Sequence, residues 1–129
     1  ETTTPMTHIY HTAHRDAWQA ARADGAYSPP SLADEGFIHL STRDQIVRVA
    51  NAIYTGTTGL VLLCVDPDQL TAELKWEAPV HPNPDDPVPT DDAELFPHLY
   101  GTLNVDAVDA VVAFPPLADG HFTLPPDLP

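Results

Sequence analysis

The run Leu60-Val61-Leu62-Leu63-Cys64-Val65, closed by Gly59 on one side and Asp66-Pro67 on the other, is the strongest constraint in this chain. Consecutive apolar residues leave no face for water, so the run reads as a strand buried on both sides at the centre of a sheet. Two covering layers are therefore required, and the sequence supplies both. Ala17, Trp18, Ala20 and Ala21 form a stripe that predicts a helix over 13–23, with Gly25 where a left-handed terminator belongs. Ile46, Val47, Val49, Ala50, Ile53 and Tyr54 recur at helical spacing and predict a second helix, closed by Gly56 and Gly59. Cys64 lies inside the apolar run, where a buried, inert thiol is expected.

The other segments are shorter. His8-Ile9-Tyr10-His11-Thr12 reads as a first strand. Tyr27-Ser28-Pro29-Pro30-Ser31 is expected to cross irregularly, because its prolines remove donors and disfavour helix before them. Glu73-Leu74-Lys75-Trp76-Glu77-Ala78 alternates polar with apolar and predicts a half-exposed strand. The stretch 79–94 is rich in proline and aspartate, and is expected to be a long mobile loop that covers a cleft as a lid. Aromatic character returns at Phe96-Pro97-His98-Leu99-Tyr100-Gly101-Thr102-Leu103; a short turn at Val105 to Val108, a strand at Ala110 to Phe114 and a last short strand at Phe122-Thr123-Leu124 complete the prediction. With 129 residues the chain accommodates one domain, taken as 8–129, behind a polar, disordered end over 1–7.

Chemistry concentrates in Asp34-Glu35-Gly36-Phe37-Ile38-His39-Leu40-Ser41-Thr42-Arg43-Asp44-Gln45. Alternation from Phe37 to Thr42 puts Phe37, His39 and Ser41 on one strand face. Thr42 with Gln45 has the form of a capping box, so a helix should begin at Arg43. Helix N–H groups, the Ser41 and Thr42 hydroxyls, His39 and Arg43 would then converge on an anion, while a capped helix with a half-buried histidine is the plainer alternative. Nineteen acidic against five basic side chains, a formal net charge of −14, argue against nucleic-acid backbones and anionic membranes as partners and leave room for a small anionic ligand in a local pocket. Lacking a secretory pattern or an apolar stretch of membrane length, the chain is expected to be cytoplasmic. His11, His39 and His98 stand in otherwise apolar segments, which predicts that they line one cleft; His8, His14, His81 and His121 are given no role.

The segments Ile9-Tyr10-His11, Glu35-Gly36-Phe37-Ile38-His39 with Ser41, Thr42 and Gln45, the run from Leu60 to Asp66, and Phe96-Pro97-His98-Leu99-Tyr100-Gly101 with Leu103 resemble the DUF952 family of small bacterial proteins of unestablished activity. The resemblance implies an α+β, ADP-ribosyltransferase-like fold, with two antiparallel sheets around a cleft and two main helices. It makes NAD or a nucleotide the expected ligand class, although the late-strand glutamate that ADP-ribosylating enzymes use could only be Glu77 or Glu94 here. Two readings follow. In one, the protein is an enzyme with His39 and His98 as general acid and base, His11 and Tyr100 orienting the substrate, Ser41, Thr42 and Arg43 holding its anion, and Gly36 and Gly101 permitting close backbone approach. In the other, the same cleft binds or senses a small molecule without changing it. A zinc site built from His11, His39 and His98 is a third arrangement, with no ligand-pair spacing to support it and no metal expected.

Overall fold

The computed structural model describes residues 8–78, 95–126 and 128. The strand expected at the centre is there: β4 (Leu60–Val65) is buried throughout, between β1 (Ile9–His14) and β8 (Val108–Ala113) in an antiparallel sheet. Its alternate side chains enter two separate cores. Val61, Leu63 and Val65 pack with Ile9, Trp18 and Ala21, the last two from α1 (Arg15–Asp24). Leu60, Leu62 and Cys64 pack on the other face with Ile46 and Ala50 of α3 (Arg43–Ile53), and with Phe114 and Phe122. Period-2 alternation in a strand with no polar face is what divides the interior this way.

Among the described residues two further antiparallel sheets accompany the first in an α+β fold, where two sheets in total were expected. β2 (Ala26–Tyr27) pairs with β7 (Leu103–Asn104), and β6 (Phe96–Tyr100) lies between β3 (Ile38–His39) and β5 (Glu73–Glu77). In the β3-β6-β5 sheet, Ile38, Leu74 and Leu99 turn toward the first core. His39, His98, Tyr100 and Glu77 therefore share the opposite face.

Three expectations are corrected. The segment after Tyr27 holds a short helix, α2 (Pro30–Glu35), because Pro30 occupies a first-turn position where its missing N–H costs nothing. The predicted strand from Phe37 to Thr42 is regular only at Ile38–His39. Leu40 N–H still donates to the Pro97 carbonyl at 3.0 Å, but Ser41 exchanges both backbone hydrogen bonds with Tyr10 at 2.8 Å, so the segment crosses from one sheet to the next. No strand forms at 122–124: the Asn51 side chain holds Phe122, accepting from its N–H at 2.6 Å and donating to its carbonyl at 3.3 Å. The 79–94 stretch, with its expected lid, lies outside the described residues, as does the 1–7 end.

Gly36 has φ 87° and ends α2, whereas Gly101 has φ 158° and makes a contact no side chain would permit. A Cβ on Gly101 would lie 2.7 Å from Ala72 Cβ. Both glycines serve the chain's own turns and packing, in place of the close approach to substrate expected from sequence. Gly101→Ala is expected to destabilise the protein by about 2 kcal/mol through overpacking, read as a lower urea midpoint; an unchanged midpoint would mean Ala72 can move aside freely.

Candidate functional site

α3 starts at Arg43, as the capping box predicts, and the Gln45 carboxamide accepts from the Thr42 N–H at 3.0 Å. With the helix start fixed, and Ser41 pinned to Tyr10, His39 is carried to a position next to β1. The β3-β6 register then sets His39 directly opposite His98. Their ring centroids are 5.6 Å apart, and the Phe37 ring stacks on His98 at 4.3 Å while meeting His39 edge-on at 4.8 Å.

Each imidazole is held by its own carboxylate. His39 Nε2 donates to Glu35 at 2.9 Å, and His98 Nδ1 donates to Glu77 at 2.9 Å. A neutral imidazole has one N–H, so these bonds leave Nδ1 of His39 and Nε2 of His98 as lone-pair acceptors. Glu77 also accepts from the Tyr100 hydroxyl. Hydrogen bonds from Tyr100, then His98, hold the Glu77 carboxyl below its ordinary value; the same contact raises the Tyr100 phenol. Burial lowers His98 below 6.5, with the Glu77 hydrogen bond opposing the shift and the charge on His39 adding to it. Exchanging Glu77 for glutamine removes the opposing charge, so a histidine-resolved NMR titration should find His98 deprotonating at lower pH still. A shift upward would mean that Glu77 does not govern the ring.

His11 is different. Its Nδ1 lies 2.7 Å from the His39 carbonyl oxygen, which can only accept, so Nδ1 carries the proton and Nε2 accepts from the Tyr27 hydroxyl at 3.3 Å. Burial lowers His11 to about 4, against the opposing carbonyl bond, and burial with Tyr54 pushes Tyr27 up to about 12. Both groups are thus uncharged near neutral pH.

The three histidines line a cleft of about 400 Å³. His11, His39, His98 and Ser41 line it, joined by Glu35 and Tyr27, which sequence reasoning had left without a role. Thr42, Arg43, Tyr100, Gly36 and Gly101 are not among its lining residues. The Arg43 guanidinium is occupied elsewhere, donating to the Leu128 carbonyl at 3.4 Å and bonding the Tyr10 side chain. Among the described residues, no group of three or more His, Cys, Asp or Glu side chains could hold a metal ion, and no helix is long and apolar enough to cross a membrane.

A family model described as "Protein of unknown function (DUF952)" matches residues 12–111, and both glutamate-held histidines fall within that span. This chain belongs to the DUF952 family. Among solved structures, it is similar to CC0527 from Caulobacter crescentus. The crystal structure of CC0527 is 38% identical, with 92% of this chain and 95% of that chain covered and a TM-score of 0.74. The solution NMR structure is 35% identical, with 90% and 91% covered and a TM-score of 0.70. No curated protein matches.

For this DUF952 protein the placement of Arg43 decides what its removal should do. Arg43→Ala is expected to leave affinity for a cleft ligand unchanged and to lower folding stability by about 1 kcal/mol, the worth of the hydrogen bonds it loses. Weaker ligand binding with unchanged stability, measured by calorimetry and urea denaturation, would instead make it the anion clamp expected from sequence.

Proposed function

We propose that the cleft is the active site of an enzyme that performs general acid–base chemistry on a small molecule. One observation carries this reading: two imidazoles lie side by side on one sheet face and line the cleft together, each with one nitrogen fixed by a glutamate and the other left as a lone pair in the neutral ring. His98, buried and shifted toward its neutral form, suits the base. His39, half-exposed and with Nε2 2.9 Å from the Glu35 carboxylate, suits the acid, which must exchange its proton with solvent between turnovers. With His98 held toward its neutral form, the delivery of a proton falls to His39, the division of roles that an acid–base pair requires. His11, neutral and wedged between Tyr27 and the His39 backbone, positions His39.

The reading includes an ADP-ribosyltransferase-like fold, supported by antiparallel sheets beside a cleft and two longer helices. A nucleotide or NAD-like compound is accordingly the first substrate class to test. Its base or ring would enter the cleft and its phosphates would stay outside, because none of the five Lys and Arg residues lines the wall. The test is a thermal-shift screen of such compounds, in which a ligand at a hundred times its Kd stabilises by about 2.7 kcal/mol, followed by mass spectrometry of each hit after incubation. Turnover by the wild type that is lost in the His39→Asn, His98→Asn double variant supports the enzyme. A hit recovered chemically unchanged makes the protein a binding or sensing module.

A further inference from the structure

We infer that the group entering the cleft is uncharged and apolar, and that it seats between β1 and α3, with the reacting polar atom beyond it at the histidines. This rests on the cleft being the reaction site. Ile46, Val49, Ile53 and Tyr54 make the α3 side of the cleft, and Tyr10 and Thr12, with His14 at the end of the strand, the β1 side. None of these is a Lys, Arg, Asp or Glu, and burial raises the Tyr10 and Tyr54 phenols further from ionisation. Ile53 is 55% exposed at the end of α3, a large apolar side chain in the wall with its surface still open to a ligand.

Charge and hydrogen bonding support the same class of ligand. The cations are at Arg15, Arg22, Arg43, Arg48 and Lys75, all outside the lining, while Glu35 is within it. A carboxylate or phosphate entering here would lose its water and meet a carboxylate with no Lys or Arg in the wall to replace the hydration, in a molecule whose net charge of −14 already repels it. In the same wall the Thr12 hydroxyl oxygen is buried and has no hydrogen-bond partner among the described residues. Rotation about its χ1 exchanges methyl for hydroxyl and offers a single uncharged hydrogen bond to a hydroxyl or amide.

Benzyl alcohol, benzoate and inorganic phosphate serve as probes, titrated into isotope-labelled protein at pH 7.5 and followed at the backbone amides of Thr12, Val49 and Ile53. Benzyl alcohol is expected to shift these amides and to bind at least about tenfold more tightly than benzoate, a difference of about 1.4 kcal/mol, with phosphate shifting none of them. Ile53→Lys places a cation on the exposed wall position and is expected to bring benzoate binding up toward that of benzyl alcohol. Wild-type protein that binds benzoate or phosphate at these amides as tightly as benzyl alcohol, or that shows no shift with benzyl alcohol, overturns the inference. The acid–base reading is judged separately: loss of turnover in the histidine variants with benzyl alcohol binding intact concerns the chemistry, whereas a failed titration concerns only what the cleft admits.

Discussion

His98→Asn is expected to lower turnover by about a hundredfold to ten-thousandfold, the contribution of a positioned general base, while leaving affinity for a cleft ligand essentially unchanged. Asparagine can still donate to Glu77 and pack beneath Phe37, so the variant removes the lone pair at Nε2 more than it removes structure. The pH profile provides the sharper reading. A base must be neutral to act, and His98 titrates below the ordinary 6.5, so the acidic limb of wild-type activity should lie below that value, where acid protonates the ring. That acidic limb should vanish from the residual activity of the variant. Turnover surviving at wild-type level, or an acidic limb still at its original pH, would assign the base elsewhere.

The parts of the fold that could be read from sequence are those in which local chemistry and tertiary context agree. Leu60–Val65 has no polar face, and no arrangement except the middle of a sheet buries it. Thr42 and Gln45 satisfy a helix end from within four residues, so the start of α3 needed no outside information. α2 was missed because Pro29-Pro30 marks a breaker by composition and a favourable first turn by position; the outcome depends on which residue begins the helix. The strand expected from Phe37 to Thr42 is regular over only two residues because its alternation is real, while its hydrogen-bonding partner changes from β6 to β1 between Leu40 and Ser41. A change of partner leaves no mark on a period-2 pattern.

In the candidate site, histidine identity was legible and partnership was not. His39 and His98 were visible as titratable groups in apolar surroundings, but their carboxylates are fixed by the turn and the sheet register. Glu35 is four residues before His39 with the left-handed Gly36 between them, so helical spacing does not account for their meeting. Glu77 meets His98 across adjacent strands, offset by one same-face position from the register pair Lys75 and His98. Arg43 misled for a related reason: a cation at a helix start suggests an anion site, yet its reach toward Tyr10 and Leu128 depends on where the C-terminal segment runs.

His11 makes the strongest claim on stability. Its folded-state value is near 4, against 6.5 in the unfolded chain, so between those limits the unfolded state binds a proton that the folded state refuses. Stability therefore rises with pH across that window, is complete above about 6.5, and falls by about 3 kcal/mol on acidification to pH 4. The main cause is burial of a ring only 8% exposed, and a proton on Nε2 would also force the Tyr27 hydroxyl to turn from donor to acceptor. Urea denaturation of wild type and His11→Gln between pH 7 and pH 4 isolates this contribution, because His98 and the carboxylates titrate in both proteins. The wild type should lose about 3 kcal/mol more than the variant over that range. Parallel pH dependences would mean that His11 takes up its proton in the folded protein, and the neutral tautomer holding the His39 carbonyl would go with it. If the difference is found, His11 is uncharged wherever the cleft is folded, which assigns the proton traffic to His39 and His98 and leaves His11 to hold one of them in place.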